Sequence, residues 1–142
     1  GEAFARRRGG PPGSVLEEIH LALRSTRGAA VAIAALDPRG GLLRFAGIGN
    51  IGAAIVNGAR SRNLVSHHGT AGTQVRRIQE FSYPWGAGDV LVLHSDGLGS
   101  HWSLEGYPGL AQRHPALIAA LLYRDHRRGS DDTTVVVLRE VA

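Results

Sequence analysis

Cysteine and methionine are both absent from the 142 residues, and no lysine accompanies the 16 basic residues, all of which are arginine. Without cysteine there can be no disulfide and no thiolate ligand, which fits a cytoplasmic protein and leaves any metal to Asp, Glu or His. Without methionine the sequence has no initiator, so it is expected to be processed, trimmed or part of something longer. Aromatic residues make up only 6%, too few to interleave with the arginines as stacking platforms for bases. Nucleic acid is therefore not an expected partner despite the formal charge of +4. An anionic or phosphorylated protein suits that charge equally well. No run approaches the roughly 20 apolar residues of a membrane-spanning helix. The opening GEAFARRRGGPPG has arginines with no apolar stretch behind them, unlike a signal peptide. What remains is one soluble domain that does not engage a membrane.

Residues 1–13, rich in charge, Gly and Pro, read as a linker or disordered end, and residues 14–142 as the folded domain. Ser14 stands three residues before Glu17, which predicts a capping box and a helix running to about Thr26 with Val15, Leu16, Ile19, Ala22 and Leu23 on its buried face. Two apolar runs, Ala29 to Asp37 and Gly41 to Gly49, flank Pro38-Arg39-Gly40 and predict a hairpin. Asn57-Gly58 predicts a second, because Asn-Gly favours tight hairpin turns. RRIQEFSYP alternates imperfectly and reads as an edge or half-buried strand. VLVLHS (90–95) is apolar on both faces, hence central. A helix follows from Pro115, with Leu117, Ile118, Leu121 and Leu122 as its buried stripe and Gly129 closing it, and TTVVVLRE reads as a last buried strand. Antiparallel hairpins with two long helices predict an α+β layered sandwich, helices over sheet.

Asp96 stands immediately after one of these strands, and Asp131 and Asp132 immediately before another. If the strands are antiparallel neighbours, the end of one and the start of the other meet at the same edge. Carboxylates gathered there repel one another unless a cation holds them, and hard oxygen donors suit Mg²⁺ or Mn²⁺. Each segment also has a plainer reading. Asp96-Gly97 serves as a turn, and DDTT as an Asx-type loop before a strand.

HSDGLGS after its apolar run, and DDTTVVVL near the C-terminus, resemble the last two acidic motifs of the PPM-type metal-dependent protein serine/threonine phosphatases. FAGIGNIGAAIV and LVSHHGTAG resemble the middle of the SpoIIE-like branch, close to its single-domain RsbX-like members. The resemblance runs from about Val15 to Arg139 and rests on motif order and spacing together. It implies an αββα sandwich of antiparallel sheets flanked by helices, with a binuclear Mn²⁺ or Mg²⁺ centre at one end. It also implies that Asp96 and Asp131 ligate metal, while Asp132 lies behind them, caps the strand or is a further ligand. Two cations would bridge a water and aim it at the phosphorus of a phosphoserine or phosphothreonine, with no covalent enzyme intermediate. The implied substrate is a phosphorylated bacterial regulatory protein, in particular an anti-sigma-factor antagonist of the STAS type.

The family's two earlier acidic motifs have no match here. The acids before Asp96 are Glu2, Glu17, Glu18, Asp37, Glu80 and Asp89, none in the required setting. The domain is accordingly expected to be N-terminally incomplete and to have little or no activity. This favours, as the alternative, a non-catalytic PPM-like module that only binds a regulatory protein. Of the remaining candidates, His67-His68 reads as a solvated loop, His94 as a packed strand histidine, and Trp102 as a pocket wall or docking surface. GIGNIG lacks the following helix that a dinucleotide loop requires.

Overall fold

The computed structural model describes residues 10–140. It is α+β, with antiparallel sheets and two α-helices, and divides into two compact units. Of the described residues, one comprises 10–51 and 65–86, the other 52–64 and 87–140.

In the first unit, helix α1 (Pro12–Ala22) starts at Pro12, three residues earlier than the capping box predicts. Pro11 is the N-cap, and no side chain caps that end. Proline suits a first turn because its fixed φ is already helical and it has no N–H to satisfy. The next free amide, that of Gly13, donates to the Glu80 carboxylate at 2.9 Å. Ser14 is thus inside the helix. Of the linker predicted over residues 1–13, residues 1–9 lie outside the described residues and residues 12 and 13 are helical. The helix ends at Ala22 rather than near Thr26, whose hydroxyl instead donates to the Leu23 carbonyl at 2.7 Å.

The predicted first hairpin is present as β1 (Val31–Asp37) and β2 (Leu42–Ile48), paired antiparallel from Val31↔Ile48 to Asp37↔Leu42. Leu16 of α1 packs on Ala46 and Ile48 of β2. Leu43 and Phe45, which point to the other face, are buried too.

The second unit holds a four-stranded sheet of order β4-β3-β8-β9. Its members are β3 (Ile51–Asn57), β4 (Arg60–Asn63), β8 (Val90–Ser95) and β9 (Val135–Arg139); the first unit adds β5 (Gly69–Thr70), β6 (Gln74–Val75) and β7 (Phe81–Pro84). Asn57 pairs with Arg60, so the hairpin loop is Gly58-Ala59 rather than Asn57-Gly58. Gly58 has φ +58° and no non-glycine residue has positive φ, a type II′ pattern. Asn57 is left at the strand end, where its amide donates to Asp89 at 2.7 Å. RRIQEFSYP yields a strand only over Phe81–Pro84, at the edge of the β1-β2-β7 sheet.

Helix α2 (Pro115–His126) buries Ile118 and Leu122 against Ala54, Val56, Val90 and Val92. Leu117 is 46% exposed and leaves the predicted stripe, and the helix ends before Gly129, with Arg127 already extended. The central placement of β8 stands. β9 does not match its expectation. It is an edge strand, and Val136 and Leu138 are exposed.

Candidate functional site

β8 and β9 pair antiparallel from Val90↔Arg139 to His94↔Val135, so the end of one strand meets the start of the other. Beyond the ladder the backbone contacts continue. Ser95 N–H donates to the Thr134 carbonyl at 3.0 Å, and the Ser95 hydroxyl accepts from Thr134 N–H at 3.0 Å while donating to the Asp132 carbonyl at 3.3 Å. Asp96 and Gly97 form the turn that leaves β8, closed by Leu98 N–H on the Ser95 carbonyl at 3.2 Å.

Gly97 is required here for space. A Cβ on it would run into the Asp132 carbonyl oxygen and the Thr133 hydroxyl. On its other side, the segment after α2 is bound by Arg128 N–H to the Gly97 carbonyl at 2.7 Å and Gly99 N–H to the His126 carbonyl at 2.8 Å. The turn carrying Asp96 is therefore stitched between residues 126–128 and 132–134. The Thr133 hydroxyl donates to the Asp131 carbonyl at 3.1 Å, so the plainer turn reading of DDTT also has a counterpart.

Asp96, Asp131 and Asp132 are all exposed. Among the described residues, no group of three or more Asp, Glu or His side chains is gathered as a metal-binding set. Carboxylate donors at this edge fit a hard divalent ion in kind, but among the described residues too few are assembled to fix two ions.

The sequence reading passed over Arg128, whose tie to Gly97 anchors a cationic residue beside the acidic turn. The only signal was its position three residues before Asp131. Arg127 lies over the Tyr123 ring at 5.6 Å. One turn earlier, Asp125 accepts from Arg124 and from the Tyr107 hydroxyl at 2.6 Å. The Arg124 and Tyr107 hydrogen bonds hold the Asp125 carboxyl well below the usual carboxylate range, and the same partner raises the Tyr107 phenol and the Arg124 guanidinium.

His94 is the packed strand histidine expected. Its Nδ1 lies 2.9 Å from the Ser95 carbonyl and its Nε2 accepts from Trp102 Nε1 at 2.9 Å, which defines the Nδ1–H tautomer. Gly52 makes room for the ring, since a Cβ there would overlap Nε2. Trp102 walls a cleft of about 170 Å³ with Ser61, Asn63 and Ser100. His67 departs from its expectation. It is half-buried with its ring 5.8 Å from that of Phe81, and only His68 is exposed.

This α+β fold, carrying SDG and DD segments at one sheet edge, is that of the PPM serine/threonine phosphatase-type domains. The chain belongs to the SpoIIE family, whose model, described as stage II sporulation protein E, matches residues 2–140. No curated protein matches it. A solved chain described in work on the bacterial stressosome, a modular system adapted to control secondary messenger signaling, is 26% identical with TM-score 0.77 over 96% of this chain and 71% of that one. RsbX in complex with magnesium is 17% identical with TM-score 0.70, over 96% of this chain and 66% of RsbX. The phosphatase domain of the cell fate determinant SpoIIE from Bacillus subtilis is 21% identical with TM-score 0.61, over 99% and 72%. No helix among the described residues is long and apolar enough to cross a membrane.

Proposed function

We propose that the chain is a metal-dependent phosphatase domain acting on phosphoserine or phosphothreonine in a regulatory protein of the anti-sigma-factor antagonist type. The observation that carries this reading is the stitching of the Ser95-Asp96-Gly97 turn to Asp132 and Thr134 by three hydrogen bonds. Family membership supplies the reaction class, and two structural neighbours, RsbX with magnesium and Mn-presoaked SpoIIE, support a hard divalent cofactor.

Asp96 and Asp131 would hold such an ion, with Asp132 behind them or joining them. Bound there, a divalent cation supplies a water of lowered pKa and offsets phosphate charge. The chain's own contribution is positional. The short turn fixes the Asp96 backbone against Asp132, and Arg128, tied to Gly97, offers a guanidinium for a phosphate oxygen.

The sparse acid set favours a second reading, a non-catalytic module that binds the phosphoprotein without hydrolysing it. The two are separated by measuring Mn²⁺-dependent hydrolysis of an aryl phosphate by the wild type and Asp96→Asn. Metal-dependent turnover that falls about 100-fold or more in a folded variant supports the enzyme. Equal turnover in both removes Asp96 from the site. No turnover in the wild type, with phosphoprotein binding retained, selects the second reading.

A further inference from the structure

The loop after β4 and the short β5–β6 ribbon enclose a groove of about 630 Å³ in the first unit, lined by His67, His68, Thr73, Gln74, Arg76 and Arg77 together with Gly69 and Val75. Among the described residues, no carboxylate and no Phe, Tyr or Trp side chain lines it. Among the described residues, neither Arg76 nor Arg77 has an ion pair or side-chain hydrogen bond. His67 Nε2 is shut off from solvent in the wall and has no hydrogen-bond partner.

The walls are held by backbone. His67 N–H donates to the Gly47 carbonyl at 2.9 Å, and its own carbonyl accepts from Gly49 N–H at 2.8 Å. The ribbon is closed by Gly69↔Val75 and Thr70↔Gln74 pairing, with Gly69 at φ +137° and no room for a Cβ against the Gln74 carbonyl. Two further hydrogen bonds join Ala71 to Ala29, and Gly72 N–H donates to His20 Nδ1 at 2.8 Å. The arginines follow directly from this pinned ribbon, so they project from a fixed base.

We propose that this groove binds an acidic, phosphorylated polypeptide segment. Arg76 and Arg77 take phosphate or carboxylate oxygens as forked donors, and Thr73 and Gln74 hydrogen-bond its backbone. The volume falls within the range of ligand clefts, and a wall without stacking aromatics suits a peptide better than bases. The inference rests on the phosphatase reading only for who supplies the segment, the phosphoprotein substrate itself.

The test is fluorescence anisotropy with a labelled phosphoserine peptide flanked by glutamates, using the full chain and Arg76→Ala/Arg77→Ala. Binding is expected to weaken about tenfold or more in the variant, to recover in part in Arg76→Lys/Arg77→Lys, and to weaken as salt rises. Circular dichroism checks that the variants fold. Unchanged affinity in the folded alanine variant overturns the proposal, as does equal binding of single-stranded DNA of the same charge. Wild-type aryl phosphate turnover, which does not engage the groove, is read alongside. Loss of peptide binding without any turnover upholds the groove and refutes the enzyme. Turnover with unaltered peptide binding does the reverse.

Discussion

A methyl group on Gly97 would meet the backbone of Asp132, which cannot swing aside as a flexible side chain would. Gly97→Ala is therefore expected to force the SDG turn away from residues 132–134, at a cost of about 1–3 kcal/mol for overpacking. The Ser95 hydroxyl bonds to Asp132 and Thr134 should be lost with it. Urea unfolding measures the first effect, and faster amide exchange at Thr134 the second. A variant as stable as the wild type with Thr134 still protected would show that the close approach is dispensable. In sequence, this glycine was legible only as a turn former. Its actual task, allowing one backbone to approach another 35 residues on, depends on the β8–β9 pairing and has no local signature.

Helix α2 makes the same point about phase. Ile118 and Leu122 are fully buried, whereas Leu117 is 46% exposed. Leu122→Ala should cost about 2–5 kcal/mol, and Leu117→Ala well under 1 kcal/mol apart from helix propensity. Similar losses from the two in thermal unfolding would put the wrong face against the sheet. Existence and type of the long elements were readable because apolar periodicity is a local property. Both hairpins, the central β8 and α2 follow it. What the pattern could not convey were facts set by distant partners. Glu80 accepts the Gly13 amide and serves the start of α1 from 67 residues away. β9 is apolar on both faces yet stands at an edge, because alternation says nothing about how many neighbours a strand has. The approach of the turn after β8 to the segment before β9 was legible, since it needed only the guess that two apolar strands are antiparallel neighbours. The half-burial of His67 was not, because its backbone pairs with Gly47 and Gly49 across the fold.

For the chain as a whole, the candidate acids lie at one exposed edge of a molecule whose formal charge is +4. Nothing in that balance favours drawing in cations, so ion affinity must come from the local carboxylates alone. Two or three carboxylates with water in the remaining positions make a weak site, with an expected dissociation constant on the order of millimolar. At about tenfold excess over that value, binding to the folded state alone adds RT ln 11, about 1.4 kcal/mol. In a domain of this size that raises Tm by roughly 4–6 °C. Scanning calorimetry with and without Mn²⁺ is expected to show this rise for the wild type and none for Asp96→Asn/Asp131→Asn. Without metal the double variant should melt no lower than the wild type, since removing two like charges from one edge relieves repulsion. Titration calorimetry should count about one ion per chain, because among the described residues no larger acid group is available to fix a second. An equal Mn²⁺ shift in both proteins would place the metal elsewhere. Two tightly held ions in the wild type would mean that donors not assigned here complete the centre, and the weak-site account of its chemistry would fall.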